Sequence, residues 1–224
     1  MRGWWREPEP EPEPPGTVAP TNQPGAPPSP ERLIEHFKAA HEIFRAQRYA
    51  EAVEAYAAVE AESRFDRVTN VRVLAARGRA VALMQLDRHA EAAALLDELV
   101  RDKEALAKIV RDSPSTRVVE QIHFIRVCCH EKLGRWPMVQ RSVADLINEF
   151  GTGRTPHERE DVAEAFMSLA QAATAQRRYD AAARALDAAL RQAATAPDNE
   201  KMLALRREAQ QRQRALPKIR RAGA

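Results

Sequence analysis

Glycine is scarce in this chain, with 8 in 224 residues, and aromatic side chains make up only 5%. That scarcity argues against a sheet protein, because strands draw on aromatic and β-branched side chains and their hairpins on glycine turns. Cysteine is nearly absent: Cys128 and Cys129 are adjacent, which forms neither a CxxC motif nor a disulfide framework and agrees with a reducing cytosol. No uninterrupted apolar run approaches the ~18 residues of a membrane span, and MRGWWREPEP lacks the core of a signal peptide. A protein that is neither exported by that route nor membrane-embedded is expected, with a cytoplasmic location. Lysine is also rare, 6 against 29 arginines, a bias that a GC-rich genome explains without any arginine chemistry. What remains is alanine-rich sequence with 44% hydrophobic residues, enough for a sizeable core and strongly biased toward helix.

Four copies of one short phrase organise the chain. They read RYAEA from Arg48, RHAEA from Arg88, RWPMV from Arg135 and RYDAA from Arg178. Each places an arginine and a ring residue (Tyr49, His89, Trp136, Tyr179) between two segments of helical periodicity, the pattern of a helical hairpin joint. Eight residues before each arginine stand Ala40, Ala80, Val127 and Ala170; eight after stand Tyr56, Leu96, Val143 and Leu186; eleven after, Val59, Leu99, Leu146 and Ala189. Self-similarity of this kind signals a repeat array.

Taken in order, residues 1–30 hold 10 of the 15 prolines and read as a polyproline-like arm outside the fold. Its Trp4 and Trp5, flanked by Arg2 and Arg6, are either a docking motif or a meaningless leader. Ser29 and Pro30 then spell the start of a helix reaching Gln47, followed by a partner from Tyr49 to about Arg64. The second hairpin is expected over Val68 to Leu86 and His89 to about Leu106, with room to extend to Val110. Ser113 and Pro114 open a third, whose first helix to Leu133 is apolar around much of its circumference at Val118, Val119, Ile122, Phe124, Ile125, Val127, Cys128 and Cys129. Gly134 ends it, and its partner runs to Phe150. Thr155, Pro156 and Glu158 form a capping box for a fourth hairpin ending near Ala194. A last helix over 199–216 is expected to cap the array and to fray beyond Gln210, leaving 217–224 as a basic tail.

The second-helix openings RYAEAVEAY, DRHAEAAALL and RRYDAAARAL resemble the tetratricopeptide repeat (TPR) family, with a small residue midway along the first helix, an aromatic opening the second and an alanine three residues on. The resemblance covers about residues 31–194. It implies an all-α, right-handed superhelix of antiparallel helix pairs, with the repeat domain over 31–198 followed by the capping helix. Joint spacings of 40, 47 and 43 residues depart from the family's ~34, and alanine or valine replaces its mid-helix glycine, so the repeats are degenerate.

Catalytic patterns do not assemble. The six histidines offer no i, i+3 or i, i+4 ligand pair, and the HExxH-like string begun by His130 and Glu131 has Gly134 in place of the second histidine. GTGRT at Gly151 lacks the lysine and spacing of a phosphate loop. The two cysteines read as small buried hydrophobes or, less simply, as a redox pair. No enzyme, metal or cofactor is expected. Charge is asymmetric: residues 201–224 carry eight basic residues and one acidic (8 − 1 = +7), against 25 and 27 over residues 31–200 (25 − 27 = −2). The basic set Arg206, Arg207, Arg212, Arg214, Lys218, Arg220 and Arg221 is either a solvated face or a contact for nucleic acid. No aromatic residues alternate with these arginines to stack bases.

The resemblance implies a protein-binding scaffold whose groove is lined by first-helix residues: Ile34, Phe37 and His41; Leu74, Arg77 and Val81; Gln121, Phe124 and Cys128; Glu164, Met167 and Gln171. Their mixture of apolar residues and few charges suits an amphipathic helix of a partner. Closure of part of this groove by the C-terminal helix or by self-association is the competing expectation. A regulator that touches nucleic acid through its basic C-terminal segment is the alternative to the scaffold.

Overall fold

The computed structural model describes residues 28–65, 70–112, 117–151, 153 and 155–222. The Trp4–Trp5 arm, the expected helix start at Val68 and the Ser113–Pro114 restart lie outside the described residues. Ten α-helices follow one another among those described: α1 (Pro30–Arg45), α2 (Tyr49–Glu62), α3 (Val71–Gln85), α4 (His89–Arg101), α5 (Lys103–Asp112), α6 (Arg117–Lys132), α7 (Trp136–Phe150), α8 (Pro156–Ala175), α9 (Tyr179–Ala193) and α10 (Glu200–Ala222). A single 3-10 turn, Ser63–Phe65, ends the second. The pairs α1/α2, α3/α4, α6/α7 and α8/α9 are the four hairpins, stacked into an α-solenoid.

Start signals act as their chemistry requires. The Ser29 hydroxyl accepts the Arg32 amide, and at Thr155 both halves of the capping box form: Glu158 N–H to the threonine hydroxyl at 3.2 Å, Thr155 N–H to the Glu158 carboxylate at 3.0 Å. The four joints share one geometry. Gln47, Asp87, Gly134 and Arg177 take left-handed φ of 60°, 57°, 64° and 58°. The amide of the following arginine then donates to the carbonyl five residues back: Arg48 to Ile43, Arg88 to Leu83, Arg135 to His130, Arg178 to Ala173. That is a Schellman closure at every joint, which satisfies carbonyls the helix end would otherwise leave open. The joint arginine also stays local where an acid follows three residues on: Arg88 grips Glu91 through two bonds of 2.7 Å, and Arg48 grips Glu51 likewise.

The recurring positions are the core. Ala40, Ala80, Val127 and Ala170 are at most 2% exposed, and so are Tyr56, Leu96, Val143 and Leu186. Small residues there let paired helices approach closely, while the larger set from the second helices fills the space between hairpins.

Three expectations about extent need correction. The helix opened at His89 does not run on to Leu106. It stops at Arg101, because Asp102 leaves helical geometry (ψ 73°) and its carboxylate accepts the Ala105 amide at 3.1 Å, starting the separate helix α5. This insertion, anchored by buried Leu106 and Ile109, accounts for the 47-residue spacing. The third hairpin's first helix is not buried on its apolar residues alone: Glu120, His123, Arg126 and His130 are inside, whereas Val118, Phe124, Ile125 and Cys128 are partly exposed. Finally, α10 does not end at residue 216. It continues through Pro217 to Ala222 and buries Met202, Ala209 and Leu216 against α9 and α8, in the place a fifth hairpin's first helix would take.

Candidate protein-binding groove

Neighbouring first helices touch in the order α1, α3, α6, α8, α10, so their outward residues form one continuous surface. At its N-terminal end, Ile34 is 40% exposed and Phe37, His41 and Phe44 stack in a ladder, with ring centroids 6.2 Å and 6.3 Å apart. The Tyr56 hydroxyl, 3.1 Å from His41 Nδ1, fixes the middle ring. Phe44 was not among the residues expected here. Its spacing from Phe37 and His41 (i+7, i+3) is the signal that places it on the same stripe.

Leu74, Arg77 and Val81 follow on α3, all half-buried, and Gln121, Phe124 and Cys128 on α6. Arg77 and Gln121 meet directly, the guanidinium donating to the amide oxygen at 2.6 Å. Burial pulls the Arg77 pKa down, its Nε has no hydrogen-bond partner, and no carboxylate pairs with it among the described residues. Cys128 and Cys129 have thiol pKa values pushed up to about 12 by burial, helped at Cys128 by the Glu131 carboxylate, so both remain protonated and unreactive near neutrality.

The fourth set is engaged by α10 rather than left open. Glu164 pairs with Lys201 at 3.0 Å, Gln171 accepts from Arg212 at 3.2 Å, and Met167 is 5% exposed in a cluster containing Ala209 and Leu216. Beside them a mainly apolar cavity of about 380 Å³ opens between Trp136, Thr174, Leu186, Leu216 and Ile219. Trp136 has two roles here, as joint ring and as cavity wall, and only the first was legible from its motif.

The basic set of α10 divides. Arg212 is tied to Glu208 (2.6 Å) and Gln171, and Arg220 lies 3.5 Å from Asp180. Arg206, Arg207, Arg214, Lys218 and Arg221 are exposed. His130 and Glu131 turn to different partners, Asp97 at 3.3 Å and the Ser168 hydroxyl, so the metalloprotease-like string is split between two structural contacts.

No helix among the described residues is long and apolar enough to cross a membrane. No family model matches the chain, and no curated protein does. Similar solved structures do exist. A crystal structure of nearly identical TPR-like repeats, from a Podosopora anserina protein assigned as a kinesin light chain, aligns with a TM-score of 0.52 at 18% identity over 87% of this chain and 95% of that one. A single-substitution variant of the same Podosopora anserina repeats gives 0.53 at 18% over 85% and 92%. With the joints, the buried lattice and these alignments together, the chain has the TPR-like repeat fold.

Proposed function

We propose that the protein is a non-catalytic scaffold that binds an amphipathic helix of another protein along the surface of its first helices. One observation carries this reading: Arg77, half-buried on the same helix as half-buried Leu74 and Val81, has the neutral amide of Gln121 as its partner and no carboxylate among the described residues. A desolvated guanidinium holds unspent capacity for a charge-assisted bond, which an acidic residue on a ligand would supply while apolar anchors cover Phe37, Leu74 and Phe124. The α10 contacts restrict this surface to the first three hairpins. A cytoplasmic setting agrees with two cysteines that are free and adjacent.

The test is affinity capture from the native host with the full chain and with Phe37→Ala/Phe124→Ala, followed by crosslinking mass spectrometry. A partner that crosslinks to α1, α3 and α6 of the wild type and is lost by the double variant, with the helical circular dichroism unchanged, is the expected result. Retention by a folded double variant overturns the groove reading.

A further inference from the structure

Helix α5, inserted between the second and third helix pairs, is an element that the repeat pattern does not require, and insertions in repeat proteins commonly build binding surfaces. Its first residue, Lys103, lines a cavity of about 390 Å³ between α4 and α7, the second helices of adjacent hairpins and so away from the first-helix groove. Arg126 of α6 forms the floor. Its side chain is 5% exposed and held from both sides, Nε to the Asp97 carboxylate at 2.6 Å and Nη1 to Asp145 at 2.7 Å. Those two bonds turn both carboxylates of the cavity toward the guanidinium.

Around this floor stand three further cations, Arg101, Lys103 and Arg141, all exposed. None of them is paired with a carboxylate among the described residues. Four cations against two carboxylates leave two positive charges uncompensated in one concave site. The neighbouring Asp102 does not neutralise them, since it is turned to Arg72 at 3.4 Å and to the Ala105 amide. The field is felt nearby: His123, buried on α6, is held down to about 4 by burial first and then by Arg126 and Lys103, against an opposing pull from Asp145.

We infer that this cavity is an anion site for a phosphate monoester dianion. Two uncompensated charges match a dianion, where a carboxylate would leave one over. Two arginine forks carried by different helices, Arg101 on α4 and Arg141 on α7, together with the Lys103 ammonium, supply donors for the three terminal oxygens of a phosphate in a way that planar, two-oxygen recognition does not need. The cavity has room for the group that carries the phosphate, which is either a free small molecule or a phosphorylated side chain.

The experiment titrates the full chain, at constant ionic strength, with sodium phosphate, with a phosphoserine peptide and with the same peptide unphosphorylated, read by calorimetry and by the shift in thermal midpoint. Binding of the phosphate-bearing probes, weakened roughly ten-fold or more in Arg101→Gln/Arg141→Gln and unchanged in Phe37→Ala/Phe124→Ala, is expected. Both exchanged arginines are exposed, so fold is retained and circular dichroism verifies it. Tight phosphopeptide binding with weak inorganic phosphate identifies a protein-borne phosphate; equal affinities identify a free one. The assignment is overturned if the arginine variant binds as well as wild type, if the unphosphorylated peptide binds equally, or if neither phosphate probe binds.

Discussion

The ring of Tyr56 on α2 occupies the space beside Gly78 on α3 so fully that a β-carbon there would lie 2.6 Å from its Cζ. Tyr56 is 1% exposed and its hydroxyl is fixed by His41, so the ring has nowhere to retreat. Glycine in mid-helix costs about 1 kcal/mol against alanine, yet here the close approach outweighs that gain. Gly78→Ala is expected to destabilise by about 1–3 kcal/mol, the usual cost of overpacking, seen as a lower denaturant midpoint at unchanged slope. A stabilised variant would show that the ring shifts freely.

The joints give a prediction of opposite sign. Asp87 holds φ 57° where Gly134 holds 64° for the same Schellman closure, and a non-glycine residue is strained there. Asp87→Gly is therefore expected to stabilise by roughly 0.5–1 kcal/mol, and Gly134→Ala to destabilise by about 1 kcal/mol. Nothing lies within 4 Å of a β-carbon at Gly134, so its cost is conformational alone. Equal thermal midpoints for both variants and the wild type would remove the strain argument.

How legible each part was depends on whether one element or several decide it. The arginine-ring phrase marks a local event, a helix end and a helix start a few residues apart, and local events leave local signals; all four joints fall where the phrase puts them. The buried lattice is legible for the same reason, since the spacing of Ala80, Leu96 and Leu99 around Arg88 is set by helical geometry. Polar burial is different. Glu120, His123, Arg126 and His130 sit on one helix among apolar residues, and only Asp97 and Asp145, on α4 and α7, show why Arg126 belongs inside. Likewise nothing within Glu164 or Gln171 announces Lys201 and Arg212, which reach them across about 40 residues of chain from α10. The proposed groove positions rest on repeat register alone, which carries no sign of the neighbouring helix that engages Glu164 and Gln171.

Glu120 makes stability fall with rising pH. It is 1% exposed and neither carboxylate oxygen has a partner. Burial first, then Asp161, Glu158 and Glu160, raise its pKa from 4.5 to about 8, with Arg117 opposing. The folded state thus keeps a proton that the unfolded chain releases above about pH 4.5. This contribution is complete below that value and is lost as pH rises toward 8. Asp161, raised to about 6 chiefly by burial, adds the same trend over a lower range. Glu120→Gln, which stays neutral at every pH, is expected to flatten the decline between pH 5 and 8 and to exceed wild type at pH 8, because it has no proton to lose as the pH rises. Parallel pH profiles for the two proteins would show that Glu120 is solvated.

Arg126 joins three helices through charge, and its removal should reveal how costly its partners are without it. Asp97 is held below the usual carboxylate range: burial alone would raise it, but hydrogen bonds from Arg126 and His130 lower it further than burial lifts it. Its contribution is therefore present above the ordinary aspartate pKa and is lost as pH falls through its own lowered value. Arg126→Met keeps the volume and the burial but leaves Asp97 and Asp145 facing one another's charge across the vacated position. Breaking a buried pair from one side costs about 3 kcal/mol at the lower end of its range, which suits carboxylates 19% and 33% exposed. Adding Asp97→Asn and Asp145→Asn to Arg126→Met removes both orphaned charges and is expected to recover most of the loss. Urea denaturation at pH 7 of the single and triple variants distinguishes the cases: if the triple variant is no more stable than the single one, the guanidinium is holding the helices by packing and not by charge.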